Sequence, residues 1–312
     1  MARTPILPSI QSPLGALPRR FRRTRILVVG CGDVGCRVVR RLNNGQQVLA
    51  LTSSPARLAE LRALGVTPLL GNLDNAASLR RLSGLAQRVV HLAPPPGQGW
   101  ADTRSQNLVS AVRLRGSPSA LVYGSTSGVY GDCQGDWVDE TLAPKPLTPR
   151  AVRRVDAEAR LRHLGRSSGT RVSVLRIPGI YAPDRANGTP EARLRKGTPV
   201  LRPEDDVYTN HIHADDLARA CLSALWRGKP QRIYNVSDDT HLKMGDYFDW
   251  AADHYGLPRP PRVPRSTAQA ELPLILLSFM NESRRLSNTR MKRELGVRLQ
   301  FATVQDGFIG SK

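Results

Sequence analysis

The chain has 312 residues and a formal net charge of +20, long enough for one large α/β domain or two modest ones with a core that needs no disulfides. The basic excess is almost all arginine, since lysine occupies only positions 145, 196, 229, 243, 292 and 312; it is scattered, and with 5% aromatics no stacking platform or specific nucleic-acid partner is expected. No apolar run approaches the ~20 residues of a membrane helix, and cysteines at 31, 36, 133 and 221 form neither a zinc pattern nor a disulfide framework, which points to a reducing cytoplasm.

In chain order, residues 1–24 come first. The first 25 residues hold six arginines, no acids, and prolines at 5, 8, 13 and 18 that break any amphipathic helix. No apolar segment of a secretory signal follows, so 1–24 reads as a disordered basic leader. Apolar runs then alternate with amphipathic stretches. Strands are expected at 25–29, 47–52, 66–70, 88–93, 119–123 and 171–177. Helices are expected at 33–43, closed by Asn44-Gly45, and at 54–64, opened by Ser54-Pro55, then at 75–82, 102–115 and 148–164. Beyond Pro178 the pattern becomes irregular, with later helices at 215–226, 243–255 and 289–295 and a strand at 232–236. Near-continuous apolar strands alternating with helices imply an α/β, doubly wound parallel sheet of Rossmann type over 25–177. A small C-terminal substrate lobe, interleaved with the last strands, is expected over 178–312.

Gly30-Cys31-Gly32-Asp33-Val34-Gly35 follows the first strand directly and opens the first helix, the context that gives G-x-G-x-x-G its meaning. Gly30 permits the tight turn, Gly32 lets backbone approach a pyrophosphate, and Gly35 lets helix pack on strand. The diphosphate of NAD(P) would sit on exposed N–H groups at the positive end of the helix dipole. After the second strand, where an acid would select NAD, the chain reads Thr52-Ser53-Ser54-Pro55-Ala56-Arg57. Thr52, Ser53 and Arg57 could accept a 2′-phosphate, which leans the cofactor towards NADP. Ala93 ends the fourth strand beside the cofactor, and Pro94-Pro95-Pro96-Gly97 stiffens the loop that follows.

Further segments extend the pattern. Ser125-Thr126-Ser127-Gly128-Val129-Tyr130-Gly131, Asp139-Glu140 with Pro144, Arg176-Ile177-Pro178-Gly179-Ile180-Tyr181-Ala182-Pro183 and Ile212-His213-Ala214-Asp215-Asp216-Leu217-Ala218 occur in this order. Together they resemble the extended short-chain dehydrogenase/reductase family, the NAD-dependent epimerases and dehydratases, over residues 25 to 310. The resemblance implies an oxidoreductase or epimerase-type enzyme acting on a polar, anionic or nucleotide-bearing metabolite, and is compatible with a homodimer. Two departures stand out. Val29 takes the place of the family's first turn glycine. The family's Tyr-x-x-x-Lys falls, counting back from Glu158, on Arg150 and Arg154.

An arginine stays protonated at any working pH and cannot act as a base. Arg150 could still polarise an oxyanion or grip a phosphate or carboxylate, and Arg154 could reach the nicotinamide ribose as the lysine does. Thr126 is the candidate hydroxyl that polarises a substrate oxygen. Tyr130 and Tyr181 are the tyrosines near the expected pocket, and His213 the histidine at its edge. His211-x-His213-x-Asp215-Asp216 has metal-like spacing, but Asp215 reads better as a helix N-cap, so no metal is expected. The segment from Ser278 to Asn288, with Glu282, Arg284 and Arg285, reads equally as a cap on the lobe or as a solvated helix. The loss of the Tyr–Lys pair leaves a second reading open, a non-catalytic NAD(P)-binding sensor.

Overall fold

The computed structural model describes residues 23–42 and 45–309. Most of the expected leader and the turn residues 43–44 lie outside that range. Seven parallel strands form the central sheet: β1 (Thr24–Val29), β2 (Gln46–Thr52), β3 (Thr67–Leu70), β4 (Arg88–His91), β5 (Ala120–Thr126), β6 (Arg171–Ile177) and β7 (Arg232–Asn235). Their spatial order is β3-β2-β1-β4-β5-β6-β7. The order reverses at β1, between β2 on one side and β4 on the other, and the crevice outside the carboxyl ends of the strands opens there.

Both sheet faces are covered, as the apolar strands require. Within β1, Ile26 and Val28 enter one core with Val38 and Val39 of α1 (Asp33–Arg41) and Leu61 of α2 (Leu58–Ala63). Leu27 and Val29 enter the other with Leu108 of α3 (Thr103–Arg113) and Leu161 of α4 (Pro149–Ser168). Period-two alternation along one strand thus feeds two cores. Leu217 and Leu225 of α5 (Ala214–Arg227) complete the first face. A third cluster, built on Tyr181, Leu194, Val200, Met244 and Phe248, is the core of the C-terminal part.

Several boundaries differ from expectation. Strand β5 runs on to Thr126 because Gly124, Ser125 and Thr126 continue to pair with Leu175, Arg176 and Ile177 of β6. Residues Ala76–Leu82 form a 3-10 helix rather than an α-helix; Leu79 and Leu82, three apart, both turn inward, as a threefold period allows. Helix α4 continues to Ser168, capped at its start by Thr148 and ended by Gly169 in the left-handed region. Asp215 is not the N-cap of α5: His213 is, its Nδ1 accepting from the Asp215 N–H at 3.2 Å. The irregular region after Pro178 contains a short parallel pair, Gly179–Tyr181 with His211–His213.

Candidate functional site

The glycine turn does three separate jobs. Gly30 has φ +89°, and a Cβ on it would collide with the backbone of Ala93, its Cα only 2.7 Å away. A Cβ on Gly35 would lie 2.7 Å from the carbonyl oxygen of Gly30, so α1 packs on β1 at backbone distance. At Gly32 a Cβ would meet nothing within 4 Å. Two glycines therefore close the turn, and the middle one leaves an open cradle. The backbone N–H groups of Gly32, Asp33, Val34 and Gly35 have no protein acceptor among the described residues, as expected for the first turn of a helix. That cradle of unmet donors at a positive helix end fits a diphosphate. Asp33 sits at its rim, but its carboxylate is matched by Arg37 at 3.1 Å and Arg185 at 3.3 Å, which offsets its repulsion for an anion. Cys31 is buried with its Sγ 3.9 Å from that of Cys36. Burial and the neighbouring Cys36 push its thiol up to about 12, so it stays protonated.

Thr52 closes β2 with its hydroxyl accepting from the Ser54 N–H at 3.2 Å, and the Ser53 side chain is exposed. Arg57 stands beside them, but not free. Its Nε and Nη2 bind both oxygens of Glu60 at 3.0 and 2.9 Å, and its Nη1 donates to the Cys31 carbonyl at 2.8 Å.

On the other side of the crevice, Thr126 ends β5 and caps the turn Ser127–Tyr130, its Oγ1 accepting from the Gly128 N–H at 3.3 Å. Its own hydrogen has no acceptor among the described residues. Arg154 faces the end of β5, its Nη1 donating to the Tyr123 hydroxyl at 3.0 Å and the Gly124 carbonyl at 2.7 Å. Arg150, one turn earlier on α4, has an accessible side chain and no hydrogen-bonded partner among the described residues. Partial desolvation where it meets the protein, then the charges of Arg154 and Arg153, lower its hold on the proton. The structure thus brings Thr126 and Arg154 to the carboxyl edge of β5, with Arg150 one turn before Arg154 on α4.

The tyrosines expected near the substrate each have a protein partner. Tyr130 is buried and donates to Asn235 Oδ1 at 2.7 Å, with the Arg176 guanidinium 4.6 Å above its ring. Tyr181 donates to the Thr303 carbonyl at 3.0 Å, and burial pushes its phenol up. His213 spends Nδ1 on the α5 cap and packs its ring 3.9 Å from that of Phe301, while Nε2 is buried without a partner. Among the described residues no group of three His, Cys, Asp or Glu side chains could hold a metal ion.

Other contacts at this edge are not legible in the sequence. Glu158 accepts from Ser125 Oγ at 2.5 Å and pairs with Arg176 at 2.8 Å, locking α4 to the ends of β5 and β6. The segment around Glu282 folds back over this edge: Arg284 donates to the Gly131 carbonyl at 2.7 Å and to Glu282 at 2.9 Å. A Cβ on Gly128 would be 3.8 Å from Glu282 and 3.6 Å from Thr126 Oγ1. A cap, rather than a solvated helix, is the better description of that segment. No local pattern signals a contact between positions 150 residues apart. Cavities of about 770 and 730 Å³ flank the helix Thr289–Leu295, and neither is lined by the glycine turn.

Comparison with known proteins agrees with this geometry. Residues 26–237 match the model of the NAD dependent epimerase/dehydratase family. GDP-6-deoxy-D-mannose reductase of Pseudomonas aeruginosa is 28% identical over 159 residues, 47% of this chain and 52% of that protein. The chain spans about half the length of the curated relatives it matches. A conserved protein of unknown function from Silicibacter pomeroyi has TM-score 0.74 at 28% identity, covering 92% of this chain and 97% of the other. UDP-glucose 4-epimerase of Thermus thermophilus, solved with NAD, has TM-score 0.71 at 23% identity, over 91% and 96%.

Proposed function

This chain belongs to the NAD-dependent epimerase/dehydratase family, and on that premise we propose that it is an NAD(P)-dependent oxidoreductase or epimerase-type enzyme acting on a small polar metabolite. The observation that carries the proposal is the turn in which Gly30 and Gly35 are closed by backbone while Gly32 is open. The N–H groups from Gly32 to Gly35 would hold the diphosphate, with Thr52, Ser53 and Arg57 around the adenosine ribose and Ala93 beside the turn. The proposed preference for NADP is modest, because a 2′-phosphate must share Arg57 with Glu60. Residues 178–312, apart from α5 and β7, which belong to the central sheet and its core, are proposed to form the lobe that encloses the substrate.

When bound, a pyridine dinucleotide supplies or accepts hydride. The chain's own residues do the rest. Thr126 donates its free hydrogen to the substrate oxygen and orients the carbon that bears it. Arg150 and Arg154 keep positive charge at the edge where negative charge develops on that oxygen, stabilising it without moving a proton. A proton that completes the oxygen comes from water, since no phenol stands at position 150.

A second reading, a cofactor-binding sensor without turnover, draws on one observation: the Tyr123, Tyr130 and Tyr181 hydroxyls are all engaged with protein partners. One experiment separates the two. The protein saturated with NADPH or NADH is offered sugar-nucleotide and simple carbonyl substrates, and loss of the reduced cofactor's near-ultraviolet absorbance is followed. Turnover that vanishes in Thr126→Val supports the enzyme; tight cofactor binding with no turnover on any substrate supports the sensor.

A further inference from the structure

We propose that Arg150, Arg153 and Arg154 form a binding site for a fixed anionic group, a carboxylate or a phosphoryl, carried by the substrate. The inference deepens the function proposed above and rests on it only for the identity of the ligand as substrate.

The three arginines lie within the first two turns of α4, the 20-residue helix that begins at Pro149. Arg153 and Arg154 are 6% and 8% exposed, so their guanidiniums are largely out of water. Neither has a carboxylate. Arg153 donates from Nη1 to the Gly99 carbonyl at 2.6 Å, and Arg154 uses only Nη1, for Tyr123 and Gly124. The Nε of each is buried with no partner. Arg150 has no ion-pair partner among the described residues either, and it stands three and four residues before the other two, the spacing of neighbours on a helix surface.

The acids nearby are committed elsewhere. Asp102 caps α3 through the Ser105 N–H and hydroxyl at 3.0 and 2.8 Å. Asp156 pairs with Arg160 at 2.8 Å, and Glu158 with Arg176. Elsewhere in the chain, buried Arg37 is matched by Asp33, Asp184 and Asp215, and buried Arg176 by Glu158, whereas Arg193, also without a carboxylate among the described residues, lies on the Phe248 ring. Holding two buried guanidiniums beside a third, exposed one with no counter-charge among the described residues costs stability unless something neutralises them. The positive end of α4 adds to their field. A planar guanidinium with free N–H groups matches the two oxygens of a carboxylate or phosphoryl. Thr126 and Arg154 share the end of β5, so an anion held here places the rest of its molecule against the Thr126 hydroxyl.

The test is calorimetric titration of the full chain, with and without saturating NADH, using malonate and inorganic phosphate at constant ionic strength. Arg150→Gln, Arg150→Lys and Arg166→Gln are compared, after thermal melts show that each variant folds. Arg166 is exposed in the last turn of the same helix, roughly 24 Å away at 1.5 Å per residue. Saturable binding of one or both anions is expected, weakened roughly tenfold in Arg150→Gln and several-fold in Arg150→Lys, which keeps the charge but loses the fork, and unchanged in Arg166→Gln. Malonate alone would assign a carboxylate, phosphate alone a phosphoryl, and both the shared geometry. The proposal is overturned if neither anion saturates, or if Arg166→Gln weakens binding as much as Arg150→Gln, which would mean diffuse surface charge. Protein that binds NADH but no anion would sink this inference and leave the function standing; anion binding without NADH binding would do the reverse.

Discussion

Arg57 reaches across the mouth of the crevice to the glycine turn and donates to the Cys31 carbonyl at 2.8 Å, while Glu60 holds its other two nitrogens. The residue that would greet a 2′-phosphate is thus braced against the turn that would hold the diphosphate. Its charge is shared with an exposed carboxylate. Arg57→Ala is expected to lower NADPH affinity several-fold more than NADH affinity. Glu60→Gln, which frees the guanidinium, should raise NADPH affinity by a similar factor. Dissociation constants for both cofactors, by fluorescence titration, check the pair. Equal losses for both cofactors in Arg57→Ala would remove Arg57 from selectivity.

Gly30→Ala places a methyl against the Ala93 backbone at φ +89°. Backbone cannot move aside as a side-chain tip can. The expected cost is about 1–3 kcal/mol of stability, read as a lower denaturation midpoint in urea. A variant as stable as the parent would contradict the closed turn.

Glu158 and Arg176 are both almost fully buried, and Ser125 and Tyr130 are tied to them. Removing one partner strands the other charge in the core. Glu158→Ala should cost about 3–5 kcal/mol, and Glu158→Ala with Arg176→Met less than the sum of the single losses. Urea denaturation of the three variants measures this. Strict additivity would mean that the pair is not coupled.

The same pair marks how far the sequence could be read. The seven strands follow from local apolar runs, and all seven are legible in the sequence near their observed positions, because such runs need no distant information. The glycine turn was readable for the same reason: strand, glycines and helix adjoin in sequence. The extension of β5 to Thr126 was not, since it depends on a partner strand some 50 residues on. Arg37 binding Asp184 and Asp215, and Arg284 binding the Gly131 carbonyl, join positions 147 to 178 residues apart and leave no periodic trace. His213 was placed at the pocket edge and Asp215 at the cap, when the imidazole itself caps α5: rules built on Ser, Thr, Asp and Asn miss a ring nitrogen. Tyr130 and Tyr181 looked available because a sequence does not show where a hydroxyl is spent.

Acid should weaken the fold through two buried histidines. Burial lowers His91 to about 3, with Arg154 adding to it, and His211 to about 4. Both are neutral in the native state, while in the unfolded chain they take up a proton near the ordinary 6.5. Below that pH the unfolded state binds protons that the native state refuses, so stability is full above about 6.5 and falls as pH drops towards 4. Melting temperatures across this range should decline, and His91→Gln should flatten the decline by about one proton's worth of slope. An unchanged slope would show that His91 titrates normally in the folded protein.

The account stands on a diphosphate seated against the open face of Gly32. Calorimetric titration of NADH and NADPH into the parent chain and into Gly32→Val, matched for melting temperature, tests it directly. The parent should bind at least one of them, and the valine, whose Cβ meets no protein atom within 4 Å while its bulk enters the cradle, should lose most of that affinity while staying folded. Binding that survives the valine unchanged, or a folded parent that takes up neither dinucleotide, would contradict it.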